Sequence, residues 1–152
     1  MRIALGLGSR TDDNDWRPQV VLAPYPSADQ RMFKLLVVDD SLAIREYCRM
    51  ELQSDGYEVV VAANGTQALE LCARLQPDLV VLDIRMWDLD GFEVLRRLKQ
   101  DQPGLPVVLH TAHLEDCRRT VEFPADACVA KQGDLGDLRR AIAVALAGGD
   151  RN

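Results

Sequence analysis

The stretch that decides the fold is KLLVVDD at residues 34–40, in which a continuous apolar run ends in two acids. Three later stretches have the same pattern, an apolar run followed directly by a residue that can bind phosphate or metal. They are LVVL before Asp83, VVLH before Thr111 and ACVA before Lys131. Apolar runs of four or five residues are typical of strands that are covered on both sides. If these runs are parallel strands of one sheet, their carboxyl ends share an edge and the polar residues meet there.

Helical patterns alternate with the apolar runs. Ser41 is a good N-cap for a helix that begins at Leu42 and stops before the Asp55-Gly56 turn. A further strand is predicted at residues 57–62, and further helices at residues 66–73, 92–98, 114–121 and 134–146. Five strands alternating with five helices predict a doubly wound α/β domain with a parallel sheet and helices on both faces. Such sheets bind ligands beyond the carboxyl ends of their strands.

Carboxylates predominate among the polar residues at that edge. Asp39, Asp40 and Asp83 would repel one another at short range, and a hard divalent cation such as Mg²⁺ relieves that repulsion. Asp83 stands alone at the end of a central apolar strand, which favours it as a nucleophile that forms an aspartyl-phosphate. Asp39 and Asp40 are then metal ligands. Lys131 would neutralise phosphate charge, and Thr111 could donate a hydrogen bond to phosphate.

Each of these residues also has an ordinary structural interpretation. Asp39 and Asp40 are suited to a loop or a helix N-cap, Asp83 to a turn, Thr111 to a helix cap, and Lys131 to a solvated surface position. Their occurrence in order, each at the end of a predicted strand, favours the functional interpretation over a set of coincidences.

Bulk composition excludes several classes of protein. The 152 residues suffice for one domain, and 47% hydrophobic with 28% charged residues is ordinary for a soluble globular protein. A net charge of −6 argues against nonspecific nucleic-acid binding. No apolar run has the length of a membrane-spanning helix, and the first eight residues are followed too soon by polar ones to form a signal peptide. We therefore expect a cytoplasmic protein with neither nucleic acid nor membrane as a direct partner.

The two ends of the chain and the cysteines complete this organisation. Residues 1–32 are rich in glycine, proline and acids, which predicts a flexible extension in which QVVLA at residues 19–23 could pair with a sheet edge. The predicted domain covers residues 33–148, followed by a short tail at 149–152. The cysteines form no CxxC pair, so a zinc site is not expected, and we predict reduced, buried thiols at Cys48, Cys72, Cys117 and Cys128.

These motifs resemble those of the receiver domain of two-component response regulators. The matching segments are VVDDS at 37–41, LDIRM at 82–86 with Asp90-Gly91 downstream, Thr111-Ala112, and VAK at 129–131. The resemblance extends over residues 33–147 and implies a flavodoxin-like sheet with the strand order 2-1-3-4-5.

The resemblance also implies roles for individual residues. Asp83 would accept a phosphoryl group from a sensor histidine kinase or a histidine phosphotransfer protein. Thr111 and Lys131 would contact the attached phosphate. The implied Mg²⁺ ligands are Asp39, Asp40, Asp83 and the backbone carbonyl of Arg85. Arg85 and His113, two residues after Asp83 and Thr111, are predicted to modulate the access of water to the phosphoryl group.

Several positions depart from the family pattern. Trp87 and Gln132 stand where the family usually has proline, and a cis peptide bond before Gln132 would be costly. Cys128 stands where the family has the aromatic residue that couples to the movement of the threonine. The fourth helix, near residues 114–121, is expected to be short or irregular because Pro124 follows it closely.

The preferred interpretation is a single-domain response regulator in which phosphorylation of Asp83 changes contacts with an unidentified downstream protein. One alternative is a degenerate receiver that acts as a phosphorylation-independent adaptor. Another is a phosphohydrolase that uses Asp83 as its nucleophile, although such enzymes need a further general acid and a cap over the substrate. We expect no enzymatic activity beyond self-phosphorylation and autodephosphorylation.

Overall fold

The computed structural model describes residues 3–6, 19–22 and 32–149, and the chain divides into two units, residues 1–31 and 32–152. In the first unit, β1 (Ile3–Gly6) pairs antiparallel with β2 (Gln19–Leu22). The prediction that residues 19–23 could pair with a sheet edge is therefore corrected, since residues 19–22 pair with β1 in a two-stranded sheet. Two short strands near each other in sequence can satisfy their backbone groups mutually. The flexibility predicted for the other residues of the extension lies outside the described residues.

The second unit contains a five-stranded parallel sheet. Its spatial order is β4-β3-β5-β6-β7, which is 2-1-3-4-5 when these five strands are counted along the chain. The predicted doubly wound, flavodoxin-like α/β fold is confirmed. The order reverses between β3 and β5, so the crevice expected for a ligand lies at the carboxyl ends of these two strands. The bounds are β3 (Lys34–Val38), β4 (Glu58–Ala62), β5 (Leu79–Leu82), β6 (Val107–Thr111) and β7 (Ala127–Ala130).

Five helices connect and cover these strands, as predicted. Three of the helices begin at side-chain caps. The Ser41 hydroxyl accepts a hydrogen bond from the Ile44 amide (3.4 Å), Asn64 accepts one from the Gln67 amide (2.8 Å), and Asp90 accepts one from the Phe92 amide (2.7 Å). The bounds are α1 (Leu42–Ser54), α2 (Gly65–Leu75), α3 (Gly91–Asp101), a 3₁₀ segment (Leu114–Val121) and α4 (Gly136–Gly149).

The strands contribute alternate residues to two apolar cores. Leu36 and Val38 pack with residues of α2 and α3 on one face of the sheet, and Leu35 and Val37 pack with residues of α1 and α4 on the other. Burial on both sides explains why the strands read as continuous apolar runs. It also confines polar side chains to the strand ends, where they are available for chemistry.

The fourth helix, which the sequence predicts to be short or irregular, is the 3₁₀ segment Leu114–Val121. None of its side chains is buried. The guanidinium carbon of Arg119 lies 4.2 Å from the centroid of the Phe92 ring at the start of α3. The ring of Phe123, just beyond the segment, lies 5.4 Å from the same ring. The segment is therefore held by contacts at its surface and not by a buried apolar stripe.

Two of the four cysteines differ from the prediction. Cys117 of the 3₁₀ segment and Cys128 of β7 form a disulfide with their Cα atoms 5.8 Å apart, a separation typical of protein disulfides. The expectation of reduced, buried thiols is wrong for this pair because tertiary packing places the segment against β7, and sequence spacing does not reveal that proximity. Cys48 and Cys72 are buried free thiols, as predicted.

Candidate functional site

The carboxyl ends of the central strands bring the predicted polar residues to one edge. The backbone amide of Asp83 donates to the carbonyl of Val38 (2.9 Å), which places Asp83 beside the end of β3, where Asp39 follows. The amide of Lys131 donates to the carbonyl of Thr111 (2.7 Å), so the ends of β6 and β7 are joined in the same way. The backbone hydrogen bonds between the parallel strands therefore continue as far as the residues of the site.

Three carboxylates form the acidic part of this edge. Asp39, Asp40 and Asp83 each offer an oxygen within 4.8 Å of the others. Asp39 and Asp83 are buried, whereas Asp40 is exposed to solvent. Oxygen ligands from one to three carboxylates, with room for water at an exposed side, suit Mg²⁺. The residues present therefore fit a divalent cation of this kind.

Lys131 is the counter-charge of the two buried acids. Its Nζ lies 2.6 Å from Asp39 Oδ2 and 3.2 Å from Asp83 Oδ1. Burial alone would lower the pKa of Lys131, but its hydrogen bonds and the negative charges of Asp39 and Asp83 outweigh burial, so the net pKa is raised. The ammonium group thus stays charged while it is largely removed from solvent.

Asp83 carries the perturbed carboxyl group of the site. Burial raises the pKa of Asp83 to about 6, the charge of Asp39 adds to this rise, and Lys131 opposes it. Near neutral pH the ionised form of Asp83 is therefore favoured only weakly over the protonated form. A positive charge arriving beside it, such as a metal ion, would favour the ionised form further.

Asp39 is bonded at both of its carboxylate oxygens. Oδ1 accepts a hydrogen bond from the Ser41 amide (2.9 Å), and Oδ2 pairs with Lys131. Asp83 has its ion pair at Oδ1, and its Oδ2 has no hydrogen-bond partner among the described residues. Of the two buried acids, Asp83 therefore keeps the oxygen that is free to react.

Thr111 is buried at the end of β6, and its hydroxyl takes part in a local turn. The hydroxyl accepts a hydrogen bond from the His113 amide (3.0 Å) and donates to the His113 carbonyl (3.3 Å). The structure therefore brings Thr111 to the predicted edge, with the hydrogen bonds of its side chain directed to the backbone of His113. Contact with a phosphate oxygen would require the hydroxyl to exchange these partners.

Arg85 and His113 lie at the rim of the site. Arg85 Nε donates to Asp116 Oδ2 (3.0 Å), and Arg85 Nη2 lies 3.7 Å from Glu115 Oε1. His113 Nδ1 lies 3.4 Å from the same Glu115 oxygen. Both side chains are half-exposed and are turned toward the 3₁₀ segment, which links the rim of the site to that segment. The role of the Arg85 carbonyl as a metal ligand stays a prediction.

Two residues that sequence reasoning did not single out for their packing shape the loop after Asp83. A Cβ at Gly91 would lie 2.3 Å from the backbone oxygen of Asp83 and 2.6 Å from Ile84 Cα, so α3 can begin this close only because Gly91 has no side chain. Asp88 accepts hydrogen bonds from the Gly65 and Thr66 amides, both at 2.9 Å, and so ties the loop to the start of α2. The Asp90-Gly91 pair was the available signal, but its steric role depends on the tertiary contact.

His110 is a further titratable group beside the site. It is buried on β6, and burial followed by the charge of Lys131 lowers its pKa to about 4. It is therefore neutral near pH 7 and leaves Lys131 as the cation between the two buried acids. The sequence showed His110 only as a member of an apolar run.

The family model described as "Response regulator receiver domain" matches residues 35–143, most of the chain. The chain belongs to the response regulator receiver domain family.

Two curated relatives and one solved structure illustrate the similarity. Sporulation initiation phosphotransferase F of Bacillus subtilis is 35% identical over 111 residues, which cover 72% of this chain and 90% of that protein. Response regulator MprA of Mycobacterium sp. (strain KMS) is 43% identical over 94 residues, which cover 62% of this chain and only 41% of MprA. The crystal structure of Thermotoga maritima response regulator TrrA, in complex with Mg²⁺-BeF, has a TM-score of 0.72 and 33% identity, and the match covers 75% of this chain and 99% of TrrA.

Membership in this family confirms the coarser functional prediction. Receiver domains are signalling domains of two-component systems and not classical enzymes, they bind Mg²⁺ at an acidic pocket, and they interact with histidine kinases or phosphotransfer proteins. The cluster of Asp39, Asp40 and Asp83 fits such a pocket. Among the helices that the structure describes, none has the length and apolar character needed to cross a bilayer.

Proposed function

We propose that this receiver domain accepts a phosphoryl group on Asp83 and thereby switches its contacts with another protein. The observation that carries the proposal is the buried Asp83 carboxylate, with one oxygen paired to Lys131 at 3.2 Å and the other free of hydrogen-bond partners among the described residues. The free oxygen attacks phosphorus, the bond between phosphorus and the donor atom breaks, and the donor leaves with the electron pair. The donor is a sensor histidine kinase or a histidine phosphotransfer protein.

The surrounding residues have separate roles in this proposal. Asp39, Asp40, Asp83 and the carbonyl of Arg85 would hold Mg²⁺, which supplies charge neutralisation for the phosphate oxygens. Lys131 is already placed to pair with a phosphate oxygen on Asp83, since its Nζ touches that carboxylate. Thr111 would turn its hydroxyl from His113 to the phosphate. The fixed Asp39–Lys131 pair at 2.6 Å keeps the ammonium group in place during this exchange.

The phosphorylated state would act by population shift. Attachment of a dianionic group draws Lys131 and Thr111 toward Asp83, which favours one arrangement of the segments that follow β6 and β7. We propose that a downstream protein recognises this arrangement. The net charge of −6 supports a protein partner and disfavours direct contact with nucleic acid. We further propose a cytoplasmic location, with residues 33–148 as the receiver domain and residues 1–32 as its extension.

An adduct assay tests the acceptor directly. The protein is incubated with Mg²⁺ and acetyl phosphate, and its intact mass is measured at intervals. We expect a single phosphoryl adduct on the wild-type protein, none on Asp83→Asn, and an unchanged adduct on Asp101→Asn, a matched change of an exposed acid at the end of α3. No adduct on the wild type, or an equal adduct on Asp83→Asn, would contradict the proposal.

A second comparison tests the metal ligands. Asp40 is exposed, so Asp40→Asn removes a charge without leaving a buried group unpaired. We expect the Mg²⁺ concentration needed for half-maximal adduct formation to rise about tenfold in this variant. An unchanged Mg²⁺ requirement would remove Asp40 from the ligand set.

A phosphorylation-independent adaptor is the second candidate. It is favoured by the disulfide at Cys128, the position where the family has its switch aromatic, and by the hydroxyl of Thr111 being engaged with His113. Under this alternative, a partner would bind the wild-type protein and Asp83→Asn equally well, with or without acetyl phosphate. A partner whose affinity rises on phosphorylation of the wild type alone would exclude it.

A further inference from the structure

The Cys117–Cys128 disulfide joins the rim of the site to the sheet. Cys117 belongs to the 3₁₀ segment and Cys128 to β7, where Cys128 pairs with Leu109 of β6. Both cysteines are half-buried, so small thiols and disulfides can reach them from solvent. Reagents in solution can therefore reach this bond. Its loss would affect β6, which ends at Thr111, and β7, which leads into Lys131.

The other two cysteines lack this accessibility. Cys48 and Cys72 are buried on opposite faces of the sheet. Burial raises the pKa of the Cys48 thiol to about 11 and that of the Cys72 thiol to about 12, so both stay protonated and unreactive near neutral pH. The chain thus carries one accessible oxidised pair and two inert thiols, which makes any thiol chemistry of the folded protein selective for Cys117 and Cys128.

The 3₁₀ segment depends on few other anchors. It has no buried side chain. Its other described side-chain contacts are Arg119 with Phe92 and Phe123, Glu115 with Arg85 and His113, and Asp116 with Arg85. An exposed ion pair contributes little to stability, about 0–1 kcal/mol. The disulfide is therefore the strongest constraint on this segment. Asp116, the direct neighbour of Cys117, is also the residue that holds Arg85 beside the site.

We propose that Cys117 and Cys128 form a reversible redox pair that controls whether the 3₁₀ segment, and with it Arg85, is fixed at the rim of the site. Oxidation joins the segment to β7, and reduction releases it. The cytoplasmic location proposed above is a reducing one, and accessible disulfides there are usually transient and redox-sensing, so that proposal favours a switch over a permanent staple. The redox pair itself is independent of the proposed phosphorylation; only its effect on Asp83 chemistry rests on that proposal.

The exchange step balances with a small-molecule disulfide such as oxidised glutathione as the oxidant. The thiolate of one cysteine attacks a glutathione sulfur, a mixed disulfide forms, and one glutathione thiolate leaves. The second cysteine then attacks the protein sulfur of the mixed disulfide and displaces the other glutathione thiolate. The two cysteines lose two protons and two electrons in total, and one oxidised glutathione becomes two reduced glutathiones.

Redox titration followed by hydrogen exchange tests the pair. The whole chain is equilibrated in glutathione buffers of increasing oxidised fraction, quenched with acid, denatured and alkylated. We expect alkylation to fall from four cysteines to two, with Cys117 and Cys128 protected together. Amide exchange of residues 114–121 should be faster by about tenfold in the reduced protein, because the segment opens locally. Four alkyl groups in every buffer, or equal exchange in both states, would overturn the proposal.

Two serine variants provide matched controls. Cys117→Ser and Cys128→Ser should each show the fast exchange of the reduced protein in every buffer. The Cys117→Ser change lies on the exposed segment, so it preserves the sheet even where Cys128→Ser perturbs β7. If Cys117→Ser kept the slow exchange of the oxidised wild type, the disulfide would not be what orders the segment.

The link to the site is measured separately. Once the adduct has formed with acetyl phosphate, its decay is followed in oxidised and reduced protein. We expect faster decay in the reduced state and no redox dependence in Cys117→Ser. Equal decay rates in the two states would overturn the link to Asp83, and the absence of any adduct would refute the proposed phosphorylation while the alkylation and exchange results still decide the redox pair.

Discussion

Lys131 Nζ lies 2.6 Å from Asp39 Oδ2, closer than the 3.2 Å that separates it from Asp83 Oδ1. The ammonium group is therefore held mainly by Asp39, whose two oxygens both have partners. Its ion pair with Asp83, the acid that we propose to react, is longer. Since all three side chains are largely buried, this single cation compensates two carboxylates in a poorly solvated place. The relationship leads to a stability prediction that does not depend on phosphorylation.

Replacement of Lys131 by methionine should destabilise the protein in the absence of divalent metal. Two buried carboxylates would lose their counter-charge, and we expect a loss of about 2–4 kcal/mol in the free energy of unfolding. Urea unfolding in EDTA measures this loss, and Mg²⁺ should restore more stability to Lys131→Met than to the wild type. Lys99→Met is the control, because Lys99 forms an ion pair of similar length with Asp126 (2.9 Å) in a more exposed place. Equal losses in the two variants would contradict the role given to Lys131.

Asp83→Asn should change the pH dependence of stability. The folded-state pKa of Asp83, about 6, lies above its ordinary value of 3.8, so the folded protein holds this proton more tightly than the unfolded chain does. The corresponding stability is present below about pH 4 and is lost as pH rises through about 6. In EDTA we therefore expect Asp83→Asn to be more stable than the wild type by about 1–3 kcal/mol at pH 7.

The difference between Asp83→Asn and the wild type should disappear near pH 4. Urea unfolding at the two pH values measures it, with Asp101→Asn as the exposed control that should leave the pH dependence unchanged. A constant difference between Asp83→Asn and the wild type across this range would show that the burial of the Asp83 charge is not its cause.

Gly91→Ala should damage both the fold and the site. Its added methyl would meet the Asp83 backbone oxygen at 2.3 Å, and backbone atoms cannot move aside as a flexible side chain can. We expect a loss of about 2 kcal/mol or more in unfolding free energy, together with slower adduct formation on Asp83. Gly104→Ala is the matched control, since a Cβ there meets nothing within 4 Å. Similar stability of the two variants would show that α3 can shift away from Asp83 at little cost.

Arg85→Ala and His113→Ala should shorten the lifetime of the phosphoryl group. Both side chains flank the site and contact Glu115, so their removal opens the rim to water. We expect decay about threefold faster in each variant, equivalent to about 0.7 kcal/mol in the barrier. Asp116→Asn, which releases Arg85 without removing it, should act in the same direction. Unchanged decay in both alanine variants would end this hypothesis.

Much of the fold could be predicted because its signals are local. Apolar runs such as residues 34–38 and 79–82 are buried on both faces of the sheet, and such burial leaves a continuous apolar pattern in the sequence. The caps at Ser41 and Asp90 likewise depend on residues within one turn. The pairing of β2 with β1 was missed because pairing between strands depends on which segments meet in space.

The candidate site could be predicted as a set of residues but not as a set of interactions. Parallel strands bring their carboxyl ends to one edge whatever the details of packing, so Asp39, Asp83, Thr111 and Lys131 were expected together. The sequence alone did not show that Lys131 binds Asp39 more closely than Asp83, or that the hydroxyl of Thr111 is engaged with His113. These preferences depend on differences of less than an ångström between the distances that join side-chain atoms.

The sequence by itself thus determined the order of strands and helices, the identity of the acidic residues and the position of the lysine, since these follow from local periodicity and from the direction of parallel strands. Only the tertiary structure decided that Cys117 meets Cys128 and that Gly91 lies against Asp83. Both contacts depend on how the segments around the sheet pack against one another. The distances in such contacts are set by packing, and the spacing of residues along the chain does not reveal them.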